Sequence, residues 1–306
     1  MYYLIYGSLY LFSLLPFFIL YKISDLIYFL LYHVAGYRRK IVDDNLNIAF
    51  PEKTTSEKSM IAKQFYRNLV DNFIETIKLL SIPEKSFVKR ASVNFTDAQR
   101  LADAGLNIQF HSGHQMNWEY ASLAISRSLT IPWLAIYMLV KPDFMERLFL
   151  KIRGRFGAVM IEKAKYQSMM PQLIKKQYAL GLIADQNPGF AKNAYWLNFF
   201  NKPAPFIVGP EKGAMRNKTA VVFVNMIKVK RGYYHFDCKV ITEDGSNFSS
   251  GQLTRNYRDN LEYEIRQHPD NYLWSHRRWK FDWDKAYEKR WVDTDPFPKT
   301  DAEITI

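Results

Sequence analysis

The chain has a single cysteine, Cys238, among its 306 residues. An internal disulfide is therefore excluded, and no Cys/His cluster has the spacing of a structural zinc site. A glycine-rich phosphate loop and a dinucleotide fingerprint are both missing, so nothing in the chain points to nucleotide chemistry. Internal repeats, low-complexity tracts and clear linkers are missing too. The simplest division is an N-terminal segment over residues 1–36, one folded domain over residues 37–280 and a tail over residues 281–306. Acidic residues are in short supply, 30 Asp and Glu against 42 Lys and Arg, for a formal charge of +12. That excess favours anionic partners: nucleic acid, anionic lipid headgroups, phosphorylated sugars or an acidic carrier protein. No nucleic-acid reading motif accompanies it.

Charge is absent altogether from Met1 to Tyr21, a run about as long as a bilayer core requires. A second apolar stretch, Leu26 to Tyr32, follows Lys22 and Asp25. A secretory signal would have a basic start, a shorter apolar core and a small-residue cleavage site, so the run is read as a retained anchor. The first basic cluster, Arg38-Arg39-Lys40, comes after it, which places the remainder in the cytoplasm by the positive-inside rule. A buried core helix and a helix lying in the membrane interface are the alternatives to a span. The aromatic share of 16% suits a water–lipid boundary as well as an ordinary core.

Pro51 breaks the chain. Thr54 and Glu57 then form a capping box ahead of a helix whose apolar positions Ile61, Phe65, Leu69, Phe73 and Ile77 recur every four residues and predict one buried face. Beyond it, short apolar runs alternate with helical patterns: Leu106 to Phe110 and a helix from about Met116, Trp133 to Leu139 and a helix from about Asp143, Ala158 to Ile161 and a helix from about Tyr166, then Leu180 to Ala184. Such alternation predicts an α/β fold, a central mixed, mostly parallel sheet flanked by helices behind the N-terminal hydrophobic helix. Two β-rich runs, Thr219 to Lys230 and Tyr233 to Thr242, flank Arg231-Gly232 and read as a hairpin added to the sheet. A last helix covers about Gln252 to Gln267, and the charged, proline-containing end reads as a loosely held tail.

The run ending at Phe110 gives way to His111-Ser-Gly-His114 and a helical pattern, so His114 falls at a strand-to-helix turn, a common seat for an active residue. Glu119 follows five residues on. An imidazole beside a carboxylate can take a proton from an alcohol, the carboxylate fixing the tautomer and stabilising the imidazolium. Spacing alone is weak evidence, because chance His/Glu pairs are common. The whole stretch His114-Gln-Met-Asn-Trp-Glu119 resembles the His-four-residues-acid motif of the lysophospholipid acyltransferase superfamily. Within that superfamily it is similar to the late acyltransferases of lipid A assembly. Tyr37 to Leu46 with Ala49-Phe50-Pro51, Arg153-Gly-Arg-Phe-Gly157, Asp185-Gln186, Phe199-Phe200, Pro203, Gly209-Pro-Glu211 and Tyr272 to Lys280 resemble further family segments, in the family's order. His111 stands where the family often has a less polar residue, and a glycine usual after the paired Phe is missing at Asn201-Lys202.

The resemblance implies acyl transfer from an acyl carrier protein thioester to a hydroxyl of a lipid A precursor, at the cytoplasmic face of a bacterial inner membrane, with no metal and no cofactor. His114 would be the base and Glu119 its partner. Arg153, with Arg155 as the competing choice, would stabilise the oxyanion. Asp185, Gln186, Arg155, Asn117, Arg277 and Arg278 would contribute to substrate binding. Two alternatives stay open: the same chemistry on another glycolipid, phosphoglycolipid or aminolipid, and a non-catalytic membrane-bound module binding lipid or nucleic acid.

Overall fold

The computed structural model describes residues 2–298. Its N-terminal apolar run is not one helix. Proline has no N–H to donate, and the chain breaks at Leu15-Pro16 between α1 (Tyr2–Leu14) and α2 (Phe17–Phe29), which continues into a π-helical turn at Leu30–Val34. The stretch with the length and composition to cross a membrane is therefore Phe17–Val34, not the uncharged first run. Both helices pack against α4 (Thr55–Lys78), which follows α3 (Arg39–Ala49).

Both halves of the capping box at Thr54 and Glu57 are present. The single buried face is not. A step of four residues overshoots a helical turn by about 40°, so the four-residue series drifts off the buried side and Phe73 is 55% exposed. Asn68, Asp71, Asn72 and Glu75 are buried as well: α2 brings Ser24 to Asp71 and Tyr21 to Glu75, while Asn68 meets Asp270 and Lys228 and Glu75 also meets Asn117 and Tyr234.

After α5 (Glu84–Val88), strands and helices alternate: β1 (Ala91–Asn94), α6 (Thr96–Asp103), β2 (Ile108–Ser112), α7 (Trp118–Ser128), β3 (Trp133–Tyr137), α8 (Asp143–Arg153), β4 (Val159–Glu162), α9 (Tyr166–Leu173) and β5 (Ala179–Ile183). A two-stranded antiparallel ribbon of β6 (Tyr195–Phe199) and β7 (Lys202–Phe206) precedes α10 (Gly209–Asn217), the hairpin strands β8 (Ala220–Lys230) and β9 (Tyr233–Thr242), and α11 (Gln252–Gln267). The seven-stranded sheet has the order β1-β9-β8-β2-β5-β3-β4. Every pairing is parallel except β8 with β9, as the alternating pattern and the Arg231-Gly232 hairpin predicted. Every residue of β2 is buried, as befits a central parallel strand covered on both faces.

The glycine missing after the paired Phe is replaced by a turn of another composition. Phe200 and Asn201 both have positive φ, 51° and 61°, the left-handed pair that a two-residue hairpin loop uses. The closing segment also departs from the loosely held tail that its composition suggested. A 3-10 turn spans Lys285–Arg290, Trp291 pairs with Trp196, and Asp293 forms an ion pair with Arg258 at 3.0 Å. The last eight residues of the sequence, 299–306, lie outside the described residues.

Candidate active site

The chain leaves the carboxyl end of β2 through Gly113 into His114. A Cβ on Gly113 would lie 2.4 Å from Leu261 Cδ1, so glycine is what lets α11 pack against this turn. The turn is also clamped from the C-terminal side. Leu273 N donates to the His114 carbonyl at 3.0 Å, Gln115 bridges Tyr272, and Met116 N donates to the Asn271 carbonyl at 2.9 Å. The closing segment is fastened in turn to the segment after the anchor. Asn45 Nδ2 donates to the carbonyls of Trp274 and His276, and Arg38 to that of Ser275. Two motifs far apart in sequence thus hold the backbone of His114.

The structure couples the charged side chains differently from the expected His114–Glu119 pair. The partner on His114 Nδ1 is Asp185 Oδ1, at 2.6 Å, and Asp185 Oδ2 also accepts from the His114 backbone N–H at 3.1 Å. Burial would push the Asp185 carboxyl up, but the charge and hydrogen bonds of His114 outweigh it and hold it at about 2. Glu119 faces Arg153 instead. Arg153 Nε lies 3.1 and 3.0 Å from its two oxygens and Nη2 lies 2.6 Å from Oε1, while Trp118 Nε1 adds a bond at 3.2 Å. Among the described residues the hydrogen bonds of Glu119 run to Arg153 and Trp118, and none joins it to His114. Spacing along one helix could not reveal this, because both true partners come from other elements, α8 and the end of β5.

His114 Nε2 faces the Gln186 amide nitrogen at 3.1 Å. His111 is a core residue. It is buried beside Gln109, whose amide is best oriented with its nitrogen toward His111 Nε2 at 3.0 Å, and burial pushes the imidazole down to about 4, so it stays neutral. This separates the two histidines: His114 lines the cavity described below and His111 does not.

Four expected binding residues lie elsewhere. Asn117 is fully buried, capping α7 through Tyr120 N at 3.2 Å and donating to the buried Glu75 at 3.1 Å. Arg155 donates to the carbonyls of Leu79 and Ile82, closing the end of α4, which leaves Arg153 as the arginine at the cavity. Arg278 is buried, bound to the Pro205 carbonyl at 3.0 Å and stacked 4.4 Å from the Phe206 ring centre. Arg277 is exposed, and its carbonyl accepts from Asn187.

His114, Trp118, Glu119, Arg153, Gln186 and Asn187 all line one cavity of about 840 Å³. Its other walls are largely apolar, including Phe110, Trp133, Ile136, Met160, Leu182 and Val224. Gly181 gives the Trp133 ring its place, since a Cβ there would lie 2.5 Å from Cζ2. Trp118, Asn187 and the Tyr272-Leu273 clamp carry no individual signal in the sequence, though Trp118 and the clamp lie inside the motif segments His114 to Glu119 and Tyr272 to Lys280. Among the described residues no group of three or more His, Cys, Asp or Glu could hold a metal ion.

A proton acceptor and a fixed cation at the polar part of a deep, mainly apolar cavity suit an enzyme acting on a group that carries a long hydrocarbon chain. Residues 1–281 match the family of bacterial lipid A biosynthesis acyltransferases, and the chain belongs to that family of acyl-transferring enzymes. It is 23% identical over 245 residues, 79% of both chains, to the lipid A biosynthesis palmitoleoyltransferase of Escherichia coli (strain K12). The same figures relate it to a lipid A biosynthesis acyltransferase of Shigella flexneri.

Proposed function

We propose that the chain moves a fatty acyl group from an acyl carrier protein thioester to a hydroxyl of a lipid A precursor, at the cytoplasmic face of the inner membrane. The observation that carries the mechanism is the 2.6 Å contact between His114 Nδ1 and Asp185. It leaves Nε2 as the basic nitrogen on the cavity side. A hydroxyl replacing the Gln186 amide there gives its proton to Nε2, and its oxygen attacks the thioester carbon. Arg153 balances the oxyanion of the tetrahedral intermediate. On collapse the C–S bond breaks, the ester forms, and the thiolate takes the proton back from His114. Glu119 acts as a positioning residue, holding the guanidinium by its fork, and Asp185 orients the imidazole. The carrier protein and the phosphorylated acceptor are both anionic, which agrees with the net charge of +12.

The test offers the detergent-purified protein a labelled acyl carrier protein thioester and a lipid A precursor, and weighs the products. His114→Ala should keep the fold and lose transfer by about 10²-fold or more. Undiminished transfer removes His114 from the chemistry. Acylation of a different glycolipid, a phosphoglycolipid or an aminolipid, with the lipid A precursor untouched, replaces the acceptor. Lipid binding without turnover in the parent chain would favour a non-catalytic module.

A further inference from the structure

We propose that the N-terminal helices do not cross the bilayer but lie in its interface, on a face shared with the mouth of the cavity. This rests on the reading that the chain works at an anionic phospholipid membrane. α1 and α2 have two unlike sides. The outer side leaves Leu4, Leu11, Phe18, Leu26, Phe29 and Leu30 exposed, an apolar stripe too large for an ordinary water-facing surface.

The inner side is fastened to the rest of the chain by charged groups along its whole length. Lys151 lies 4.2 Å from the Tyr6 ring centre, and Lys78 Nζ donates to the carbonyls of Ser13 and Leu15 at 2.7 and 2.9 Å. Arg90 covers Phe17 at 3.7 Å, and Arg231 binds Asp25 at 2.8 Å. Arg39 covers Tyr32 at 4.2 Å.

A span over Phe17–Val34 would carry Lys22, Asp25 and the Arg231 guanidinium docked on Asp25 into hydrocarbon. Insertion scales charge about 2.5–3.5 kcal/mol for one such side chain at a helix centre. The alternative, pulling α2 away, would cost Arg231 its ion pair with Asp25 and Asp71 its hydrogen bond from Ser24. α1, at 13 residues, is about 20 Å long and too short for a core of about 30 Å. Lying flat satisfies both sides: the outer stripe enters the acyl boundary while the cations stay at headgroup level.

The cavity mouth continues this surface. Tyr2 shares a groove with Lys141, Pro142 and Phe144, and Arg147 lies 5.7 Å from its ring centre. The preceding Met138 and Val140 line the cavity, and Met138 and Leu139 are exposed. A lipid could thus present its polar part to His114 while its chains remain in the membrane. Exposed Lys22 and Arg147 flank the stripe, and the net charge of +12 matches an anionic headgroup layer.

The test places one nitroxide at a time through Leu4→Cys, Leu11→Cys, Phe18→Cys, Leu26→Cys or Val34→Cys in the full-length chain, reconstituted in phosphatidylcholine vesicles containing phosphatidylglycerol. Buried Cys238 is left in place, and labelling of the parent chain serves as the blank. Depth measured against oxygen and a water-soluble nickel relaxer should be shallow and similar at all five sites, about 5–10 Å below the headgroups. Depths that climb to the bilayer centre and fall again on the far side overturn the proposal. A second arm replaces Leu4, Leu11 and Phe18 by Ser and measures partition into the same vesicles, with at least a tenfold weakening expected. Unchanged partition overturns the proposal as well. Neither readout depends on turnover, so their failure is distinct from failure of the acyl-transfer reading.

Discussion

Two carboxylates, an imidazole and a guanidinium meet beside the cavity, and the hydrogen bonds sort them into couples: Asp185 with His114, and Glu119 with Arg153. Exchanging one carboxylate for its amide should therefore act on only one couple. Asp185→Asn loses the acceptor that selects the His114 tautomer, so kcat should fall by about 10²–10⁴ with little change in KM. The ¹⁵N resonances of the His114 ring should change in this variant and stay put in Glu119→Gln. The reverse pattern would return Glu119 to the imidazole. His111 makes a pH prediction. Its folded value of about 4 lies below the ordinary 6.5, so between these values the unfolded chain takes up a proton that the native chain refuses. The stability held above pH 6.5 should decline by about 3 kcal/mol on going to pH 4. Thermal unfolding in detergent should show that part of the acid-side loss missing from His111→Gln.

Asn117 and Glu211 act on helices, not on the cavity. Asn117 starts α7 and binds the buried Glu75 of α4, so Asn117→Ala removes a cap and one hydrogen bond to a buried carboxyl that keeps only its donors Tyr21 and Tyr234. A loss of about 2 kcal/mol is expected, read by chemical denaturation, with activity reduced because Trp118 and Glu119 begin the same helix. Glu211, in the Gly209-Pro-Glu211 motif, accepts from Gly251 N at 2.6 Å and Thr254 N at 2.8 Å and so caps the first turn of α11. Strand and helix positions were legible from hydrophobic period, since β2, β5 and the hairpin fall within a few residues of the predicted runs. The burial of α4 was not, because polar residues such as Asp71 and Glu75 read as a solvated face. Their partners Ser24, Tyr21 and Arg231 lie dozens to more than a hundred positions away.

At the scale of the molecule, residues 1–36 do not form a detachable leash. Leu20 and Tyr32 are buried in the core that contains Phe65 and Trp274, and Lys78 and Asp71 draw partners from the same segment. Deleting residues 1–36 should therefore yield a chain that aggregates or melts far below the parent in detergent. A monodisperse truncated protein of parental stability and activity would instead establish 37–280 as an independent domain.

The chain's own order of residues determined the alternation of strands and helices, the hairpin at Arg231-Gly232, the break after Phe50 and the seat of His114 at a strand-to-helix turn. These follow from local period, turn chemistry and capping, which act between near neighbours. The tertiary structure alone decided which carboxylate serves His114, that Arg153 rather than Arg155 reaches the cavity, and that Asn117, Arg277 and Arg278 do not line it. Pairing of charges depends on distances of about 3 Å between groups brought together by sheet order and helix packing. Separation along the chain carries no record of those distances.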